Sequence, residues 1–519
     1  MIRLKDIKIR EDLTNEQVFQ KVISKNKIRS EEVSKWYIYK KSIDARKKED
    51  IYYNYTIDLE LKDKKKESKF EKVEEYKFPE IKIGRKSECA PVIIGAGPAG
   101  LFAGLILVNN GLKPIILERG KKVEERIKDI EEFIKNKKFS TSSNIQFGEG
   151  GAGTFSDGKL NTGNSAGIYS RKVLEEFVRF GAPEEILYTA KPHIGTDNLR
   201  NIVKNIREYI ISKGGQVLFN EQVTDFEIGD GKIKAVICSK RIETDSVILA
   251  IGHSARDTFK RLYELGVEIQ PKNFAVGARI EHLQEDINKA QYGTQTKLKL
   301  PTADYKLVYH AQNGRICYTF CMCPGGQVMA SNSEENSIVT NGMSNFARDG
   351  KNANSAVLVN VTVDDYYKST PLDGMYFQED LERKAFELGG SNYNAPVQKV
   401  GDFLENKPTI NFGKVQPTYM PGVTGANLND ILPEFVSETL KEGIVELDKK
   451  LHGFADRDAI LTGVETRSSS PVQITRDKEN LNSVNVQGLY PCGEGAGYAG
   501  GIMTAAIDGI KCAIKVLES

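Results

Sequence analysis

Three closely spaced glycines follow a short apolar segment in a pattern that suits phosphate binding. Gly95, Gly97 and Gly100 form the pattern G-x-G-x-x-G directly after residues 91–94, and an apolar helical segment follows them. In such a unit the first glycine makes a tight turn, the second lets the backbone approach a pyrophosphate, and the third lets helix and strand pack closely. Glu118 ends the next apolar segment, where a carboxylate can accept hydrogen bonds from ribose hydroxyls. The spacing predicts a βαβ dinucleotide site; the alternative is a glycine-rich turn in another kind of α/β protein.

A second glycine-rich stretch follows this unit along the chain. Five glycines lie within residues 148–158, a density that ordinary helix and strand do not tolerate. Because glycine adopts positive φ and has no side chain, such a loop can approach a flat ligand closely. We therefore expect Gly150, Gly151 and Gly153 to contact a cofactor ring. The alternative is a flexible loop without a ligand.

Three of the seven cysteines cluster between residues 317 and 323. A C-x-C pair such as Cys321 and Cys323 can form a strained disulfide, pass electrons, or bind a soft metal together with Cys317. No fourth ligand is evident nearby, so we expect no structural zinc site and assign no metal. The alternative is a set of reduced, partly buried cysteines in a tight loop.

A histidine and an arginine follow an apolar segment that ends at Ala250, Ile251 and Gly252. Imidazole titrates near neutral pH, so His253 is a candidate general acid or base. The competing interpretation is a hydrogen-bonding role that holds the turn together. Arg256 can bind a substrate carboxylate through a two-pronged contact, or it can pair with the neighbouring Asp257.

The elements that must position these residues divide the chain into several parts. Apolar spacing at the N-terminus predicts a βαββ pattern, with strands at 2–9, 34–43 and 51–61 and a helix at 15–24. We predict a ferredoxin-like N-terminal α+β module over 1–85 and a nucleotide-binding domain over 90–260, with a β-meander at about 215–245. A substrate domain is expected over 261–455, and a return to the nucleotide-binding domain, with a C-terminal helix, over 456–519.

Charge and composition limit the function classes. Residues 1–90 contain 24 Lys and Arg against 18 Asp and Glu, a surplus that fits an RNA- or partner-binding face or, more simply, a solvated surface with a charged linker. The whole chain has a net charge of +2, which does not indicate a general polyanion binder. The sequence has no signal-peptide pattern and no apolar run of membrane-spanning length, and its thinly spread cysteines suit a reducing compartment. We expect a cytoplasmic protein without a membrane span.

Taken together, these motifs resemble those of FAD-dependent oxidoreductases of the glutathione-reductase-like two-domain class. The glycine motif extends to Gly104, and Gly493-Glu494 stands where that class usually has Gly-Asp against the flavin. Over most of its length the chain is similar to a bacterial "FAD-dependent protein" group, in which the phrases GGAGTFSDGKL, AIGHSARDT, CMCPGG and CGEGAGYAGGI recur in this order. The resemblance implies an α/β fold: a Rossmann-like FAD-binding domain, an inserted mixed α+β substrate domain and the N-terminal module.

The resemblance also implies which residues bind FAD and how electrons move. The expected FAD contacts are Gly95, Gly97, Pro98, Ala99, Gly100, Glu118, Arg119, Gly150, Gly151, Gly153, Val223, Ala250, Gly252, Gly493, Glu494, Gly500, Gly501 and Ile502. A helix that begins near Gly501 would stabilise negative charge on the reduced flavin. Lys159 is a candidate for polarising flavin N5 or the substrate, or else a lysine that faces phosphate or solvent. The expected catalytic set is therefore His253, Lys159, Cys321 and Cys323.

The expected activity is an FAD-dependent dehydrogenase or reductase that transfers hydride or electrons through flavin N5 to or from an unidentified organic substrate. Unlike pyridine-nucleotide disulfide reductases, the chain has neither a second βαβ unit that opens with G-x-G-x-x-G for NAD(P)H nor a C-x-x-x-x-C pair. The electron donor is thus left open between NAD(P)H bound without a dedicated domain and a protein donor. Two rival functions are an RNA-modifying flavoprotein that docks through the basic N-terminal module, and a non-catalytic flavin-binding redox sensor.

Overall fold

A computed structural model of the chain describes residues 1–160 and 167–519. The N-terminal elements are β1 (Ile2–Ile9), α1 (Asn15–Lys25), β2 (Val33–Asp44), β3 (Tyr52–Leu61) and β4 (Glu71–Lys72). They are followed by β5 (Val92–Ile94), α2 (Pro98–Asn109), β6 (Ile115–Glu118), α3 (Val123–Asn136), α4 (Ile168–Arg179), α5 (Thr196–Ser212), β7 (Gln216–Phe219), β8 (Asp225–Gly229), β9 (Lys232–Ile237), β10 (Arg241–Glu243), β11 (Val247–Leu249) and α6 (Arg256–Glu264).

The second half of the chain is richer in long strands. Its elements up to residue 465 are β12 (Ile269–Pro271), β13 (Phe274–Leu283), α7 (Gln284–Tyr292), β14 (Val308–His310), β15 (Ile316–Ala330), β16 (Thr340–Met343), β17 (Asn352–Val361), α8 (Val363–Tyr366), α9 (Asp373–Leu388), β18 (Ala395–Lys399), α10 (Val400–Leu404), β19 (Val423–Gly425), α11 (Glu434–Asp448) and β20 (Ile460–Glu465). The last elements are β21 (Val472–Ile474), β22 (Leu489–Pro491) and α12 (Ile502–Glu518).

The N-terminal module is a four-stranded sheet covered by one helix. Its strand order is β2-β3-β1-β4, with antiparallel neighbours, and the predicted βαββ succession is confirmed. Helix α1 begins after a capping box at Thr14 and packs an apolar face on the sheet, where Phe19 stacks on Trp36 at 4.3 Å. A ferredoxin-like βαββαβ unit has a second α-helix before its last strand. A 3-10 helix, Lys64–Lys69, stands at that point, so the ferredoxin-like label stays a prediction.

A five-stranded parallel sheet lies at the centre of the next part of the fold. Its order is β22-β11-β5-β6-β7, and every pair of neighbours is parallel. Strand β7 was expected in the meander, but it pairs with β6, because helix α5 returns the chain to the edge of the parallel sheet. The meander itself consists of β8, β9 and β10.

A second sheet has the order β14-β15-β17-β13-β20-β18-β19, with β16 paired to β15. Strands β13 and β17 are antiparallel over ten residue pairs, from Phe274 opposite Val361 to Leu283 opposite Asn352. Strand β20 lies beyond residue 455, where we expected the chain to have returned to the nucleotide-binding domain. The structure instead pairs β20 with β13, and all six residues of β20 are buried, so this strand belongs to the centre of the second sheet.

The two sheets are joined by several crossings of the chain and share a mixed α/β architecture, as the sequence predicted. Helix α12 packs on α2, and Gly509 lies directly against the backbone of Ala99, which lets the two helices approach closely. Helix α2 is apolar on all sides and buried from Ala99 to Val108. Among the helices of the described ranges, none combines the length and the apolar character needed to span a membrane.

Candidate functional site

A cavity lies between the carboxyl ends of the parallel strands and the second sheet. The carboxyl edge of a parallel sheet is where α/β folds bind ligands, because the loops and helix N-termini converge there. The predicted site residues that line the cavity are Gly95, Gly97, Pro98, Ala99, Glu118, Arg119, Gly151, Gly153, Lys159, Val223, Ala250, Gly252, His253, Cys321, Cys323, Glu494, Gly500, Gly501 and Ile502. The structure thus brings together residues from distant parts of the chain, from Gly95 to Ile502.

Four predicted site residues do not line the cavity. Gly100, Gly150 and Gly493 lie behind the lining, where an added Cβ would contact the backbone or side chains of Gly95, Thr154 and Ala99 respectively. These three glycines therefore pack the turns that carry the lining residues. The fourth residue, Arg256, is buried at the junction of the two sheets.

Two helices begin at the cavity wall without a side-chain cap. Helix α2 follows Gly97 and helix α12 follows Gly501, and neither N-cap residue accepts a hydrogen bond through a side chain. A Cβ placed on Gly97 would meet only Gly151 Cα, at 3.9 Å, and a Cβ on Gly501 would meet nothing within 4 Å. Free N–H groups and the positive end of each helix dipole favour anionic groups at such positions. The open glycine backbone at both helix starts fits a ligand with a pyrophosphate and a flat ring, such as FAD.

The Glu118 carboxylate organises the loops at one end of the cavity. Its Oε2 accepts a hydrogen bond from the backbone N–H of Ala96 at 2.8 Å, and its Oε1 accepts from Gly120 at 2.9 Å and Gly148 at 3.0 Å. A carboxylate oxygen has a second lone pair, so these bonds leave room for a ribose hydroxyl. The ribose contact stays a prediction, and the observed role of Glu118 is to tie the glycine-rich loop to strand β6.

Arg126 is a site residue that the sequence reasoning missed. Its fully buried guanidinium donates hydrogen bonds to five backbone carbonyl oxygens of the loop that leads into the cavity. The five acceptors belong to Asn144, Ile145, Gly148, Glu149 and Gly151, at 2.7, 2.7, 3.4, 2.7 and 2.9 Å. Burial lowers the pKa of Arg126 to about 9, which still leaves it charged at neutral pH. A signal did exist, because Arg126 shares the buried face of α3 with Val123, Ile130 and Phe133.

His253 is neutral and hydrogen-bonded in its turn. Burial, reinforced by the positive charges of Arg467 and Arg256, lowers the pKa of His253 to about 3. Its Nδ1 lies 3.0 Å from Ser254 Oγ. A histidine that stays neutral throughout the physiological range is not in the protonated imidazolium form that serves as a general acid. This geometry favours the hydrogen-bonding role over general acid catalysis.

Glu494 is the carboxylate on the cavity wall whose titration falls near neutral pH. Burial raises the pKa of Glu494 to about 7, and only the nearby Lys272 lowers it. Its Oε1 lies 4.0 Å from His253 Nε2, which is too long for a direct hydrogen bond. A group that titrates near the working pH inside a cavity is suited to accepting or releasing a proton.

Lys159 reaches the cavity as part of an ion pair. Its Nζ lies 2.8 Å from Asp157 Oδ2, and Asp157 also pairs with Arg348. Burial opposes the charge of Lys159, but the neighbouring Cys323, Asp157 and Cys321 outweigh it and raise the pKa above the ordinary lysine value. Lys159 is therefore a fixed positive charge facing the cavity, rather than a solvent-exposed lysine.

The two cysteines of the C-x-C pair lie at a bulge of strand β15. Cys321 is exposed to the cavity, whereas Cys323 is buried. Arg279 Nη2 contacts the Cys321 carbonyl oxygen at 2.6 Å and Cys323 Sγ at 3.5 Å, and its Nη1 pairs with Glu465 at 2.8 Å. Burial raises the pKa of the Cys321 thiol to about 12, although Lys159 and Arg279 oppose this rise.

Cys317 does not join this pair. Its sulfur packs against Gly443 on helix α11, away from the cavity. Burial there raises the pKa of its thiol to about 12. The sequence hypothesis of a soft-metal site made by Cys317, Cys321 and Cys323 is thus not supported by the positions of the three side chains.

Arg256 connects the two sheets. It donates two hydrogen bonds of 2.9 Å to the buried carboxylate of Glu382 on helix α9, and Arg467 binds the same carboxylate at 2.9 and 2.6 Å. The expected alternative partner, Asp257, pairs with Arg119 instead, at 3.0 Å. Because its guanidinium already binds Glu382, Arg256 is a structural residue of the junction and is not free to bind a substrate carboxylate.

Comparisons with known proteins agree with a flavin-related family. Residues 273–468 match the family model described as "FAD-dependent protein, C-terminal domain-like", and residues 1–60 match a domain of unknown function (DUF8436). A protein of Clostridium beijerinckii, described as "Uncharacterized protein", is 46% identical over 529 residues, which covers 100% of this chain and 98% of that protein.

Two solved structures show a weaker likeness. CtdE in complex with FAD is 13% identical with a TM-score of 0.34, covering 82% of this chain and 84% of that one. A geranylgeranyl bacteriochlorophyll reductase-like protein from Thermoplasma acidophilum is 11% identical with a TM-score of 0.35, covering 82% of this chain and 77% of that one. Scores of this size do not establish a common fold.

Proposed function

We propose that this chain, which belongs to the same family as the Clostridium beijerinckii protein, is an FAD-dependent oxidoreductase acting on an organic substrate. The observation that carries the proposal is the convergence of two uncapped helix N-termini and open glycine backbone on one cavity. The match of residues 273–468 to an FAD-dependent protein domain supports the same cofactor. In this proposal the parallel sheet is a Rossmann-like FAD-binding domain and the second sheet belongs to the substrate domain.

Each part of the cavity suits a different part of FAD. The start of α2 at Gly97 would hold the pyrophosphate, and the Glu118 end of the cavity would hold the adenosine ribose. The loop from Gly151 to Lys159 and the start of α12 at Gly501 would border the flavin ring. When bound, FAD supplies hydride or electron transfer through its N5 atom.

The chain's own residues then control charge, protons and water around the ring. The N-terminus of α12 stabilises negative charge next to Gly501 because its first N–H groups have no side-chain partner. Glu494 holds or releases a proton at its carboxylate near neutral pH, and neutral His253 keeps the adjoining turn in place. Strands β15 and β16 cover the cavity from the side of the second sheet and reduce its contact with water.

The basic N-terminal module does not favour the RNA-modifying alternative. Two of its clustered lysines, Lys64 and Lys66, pair with Glu60 and Glu32, so the charge of each is compensated by a neighbouring carboxylate. The electron donor remains a choice between NAD(P)H and a protein, because the sequence has no second βαβ unit that opens with G-x-G-x-x-G. The glutathione-reductase-like class, the cytoplasmic location and the domain boundaries stay predictions.

The flavin content of the purified protein and of two matched glycine variants tests the proposal. An alanine at Gly97 fits the chain itself, because the nearest atom to its Cβ lies at 3.9 Å, but it fills the space that the pyrophosphate needs. An alanine at Gly229, on the meander, meets only the flexible side chain of Lys234, at 3.4 Å. We expect the wild type and Gly229→Ala to carry one FAD per chain, and Gly97→Ala to lose at least about 90% of it, which corresponds to about 1.4 kcal/mol or more of binding free energy.

Anaerobic titration with NADH and then NADPH completes the test. Bleaching of the flavin absorbance by either compound identifies a pyridine-nucleotide donor, and bleaching by dithionite alone points to a protein or substrate donor. A protein that takes up no FAD contradicts the proposal. An FAD that no biological donor reduces favours the redox-sensor alternative instead.

A further inference from the structure

The C-x-C pair of strand β15 has a geometry that its sequence spacing alone would not produce. In a regular strand, the side chains of residues i and i+2 point the same way and are separated by a rise of about 6.7 Å. A disulfide requires a Cβ–Cβ distance of about 3.5–4.5 Å, so such a pair is about 3 Å too far apart. Here the pairing of β15 with β17 shifts between Phe320 and Cys323, so one extra residue is inserted.

The inserted residue distorts strand β15 locally. Cys321 has a φ of +43°, a left-handed conformation that non-glycine residues rarely adopt. As a result, Cys323 Sγ lies 3.3 Å from the carbonyl oxygen of Cys321. The buried sulfur of Cys323 therefore rests against the backbone of the residue whose side chain opens into the cavity.

Two cationic side chains lie near the C-x-C pair. Arg279 Nη2 contacts Cys323 Sγ at 3.5 Å, and Lys159 lies close enough to both cysteines for their charges to interact. A nearby cation stabilises the thiolate through which sulfur exchanges electrons.

We propose that Cys321 and Cys323 form a dithiol–disulfide couple that exchanges two electrons with the FAD of the cavity. This inference rests on the proposed function, because it requires FAD beside Cys321. In the oxidative direction both S–H bonds break and one S–S bond forms. The two electrons and two protons reduce FAD to FADH2, so the step balances without another reagent.

The number of electrons that the oxidised protein takes up tests the couple. Anaerobic titration of the FAD-loaded wild type with dithionite should consume four electrons per FAD, two for the flavin and two for the disulfide. Cys323→Ser should consume two. Cys89→Ser, which removes an exposed cysteine outside the cavity, is the matched control and should still consume four.

Alkylation of the denatured protein gives a second readout that does not depend on flavin absorbance. Of the seven cysteines, we expect five to be labelled in the oxidised wild type and all seven after reduction, with peptide masses that identify Cys321 and Cys323 as the protected pair. Cys323→Ser should show six labels in both states.

The two readouts separate the possible failures. A wild type that consumes two electrons and labels at all seven cysteines in every state overturns the couple and leaves the proposed function intact. A protein that binds no FAD, or whose FAD is not reduced, overturns the proposed function and the couple with it. Because both results come from the wild type, they hold even if Cys323→Ser does not fold.

Discussion

Replacement of Glu494 by glutamine should stabilise the FAD-free protein at high pH but not at low pH. The folded chain raises the pKa of Glu494 from 4.5 to about 7, because burial disfavours the carboxylate. Between these two pH values the unfolded chain has lost the proton and the folded chain keeps it, so stability falls as the pH rises. Above pH 7 the free energy of unfolding is lower by about 3 kcal/mol, because each unit of the pKa shift corresponds to about 1.4 kcal/mol. Glutamine is similar in shape and carries no charge, so it avoids this cost.

The predicted effect is large enough for a thermal melt. Cooperative unfolding of 519 residues, at about 2.1 cal/mol/K per residue, converts 3 kcal/mol into a Tm increase of about 3 °C. We expect this increase at pH 8, and an increase of less than about 1 °C at pH 5, because the free-energy difference caused by the pKa shift is still small there. Scanning calorimetry of the FAD-free protein measures both values, and Glu131→Gln, at an exposed position on α3, is the control. An equal shift at both pH values, or none at pH 8, would refute the electrostatic reasoning for Glu494.

Two further predictions concern buried arginine and glutamate side chains. Arg126→Met leaves five loop carbonyls without their donor, so we expect the free energy of unfolding to fall by more than about 3 kcal/mol. Proteolysis between residues 144 and 151 should become faster, and Arg126→Lys should restore part of the stability. Glu382→Gln removes the carboxylate shared by Arg256 and Arg467 and should lower the free energy of unfolding, measured with denaturant, by about 3–5 kcal/mol. The control, Glu387→Gln on the exposed face of the same helix, should leave the stability unchanged. Unchanged stability in either variant would show that its hydrogen bonds add nothing to the folded state.

The sequence predicted local units better than their pairing. The βαβ unit around Gly95 was predictable because strand, turn, helix and strand follow one another within about 30 residues and each step has its own residue pattern. The position of β20 was not predictable, because its partner β13 lies almost 200 residues earlier and neither strand has a sequence feature that identifies its partner. The assignment of β7 failed for the same reason, since a short apolar strand fits either sheet.

Side-chain roles followed the same division. Seven of the ten predicted glycines lie on the cavity wall, whereas Gly100, Gly150 and Gly493 pack behind it, because glycine spacing marks a tight turn without showing which residue of the turn faces the cavity. The partners of Arg256 could not be predicted, because Glu382 comes from a helix of the other sheet. The opposite directions of Cys317 and Cys321 depend on one bulge residue, and a bulge changes side-chain direction without a clear mark in the sequence.

The strand order of the parallel sheet has a consequence for synthesis. Strand β11 pairs on one side with β5 and on the other with β22, and helix α12, which begins at the cavity wall, follows β22. A nascent chain that has reached residue 480 therefore has most of its apolar core, but β11 is an open sheet edge and the part of the cavity wall formed by Glu494 and residues 500–502 is missing. Exposed edges of this kind recruit other strands, so the interval before residues 489–518 emerge is the time at which this protein most needs protection from aggregation.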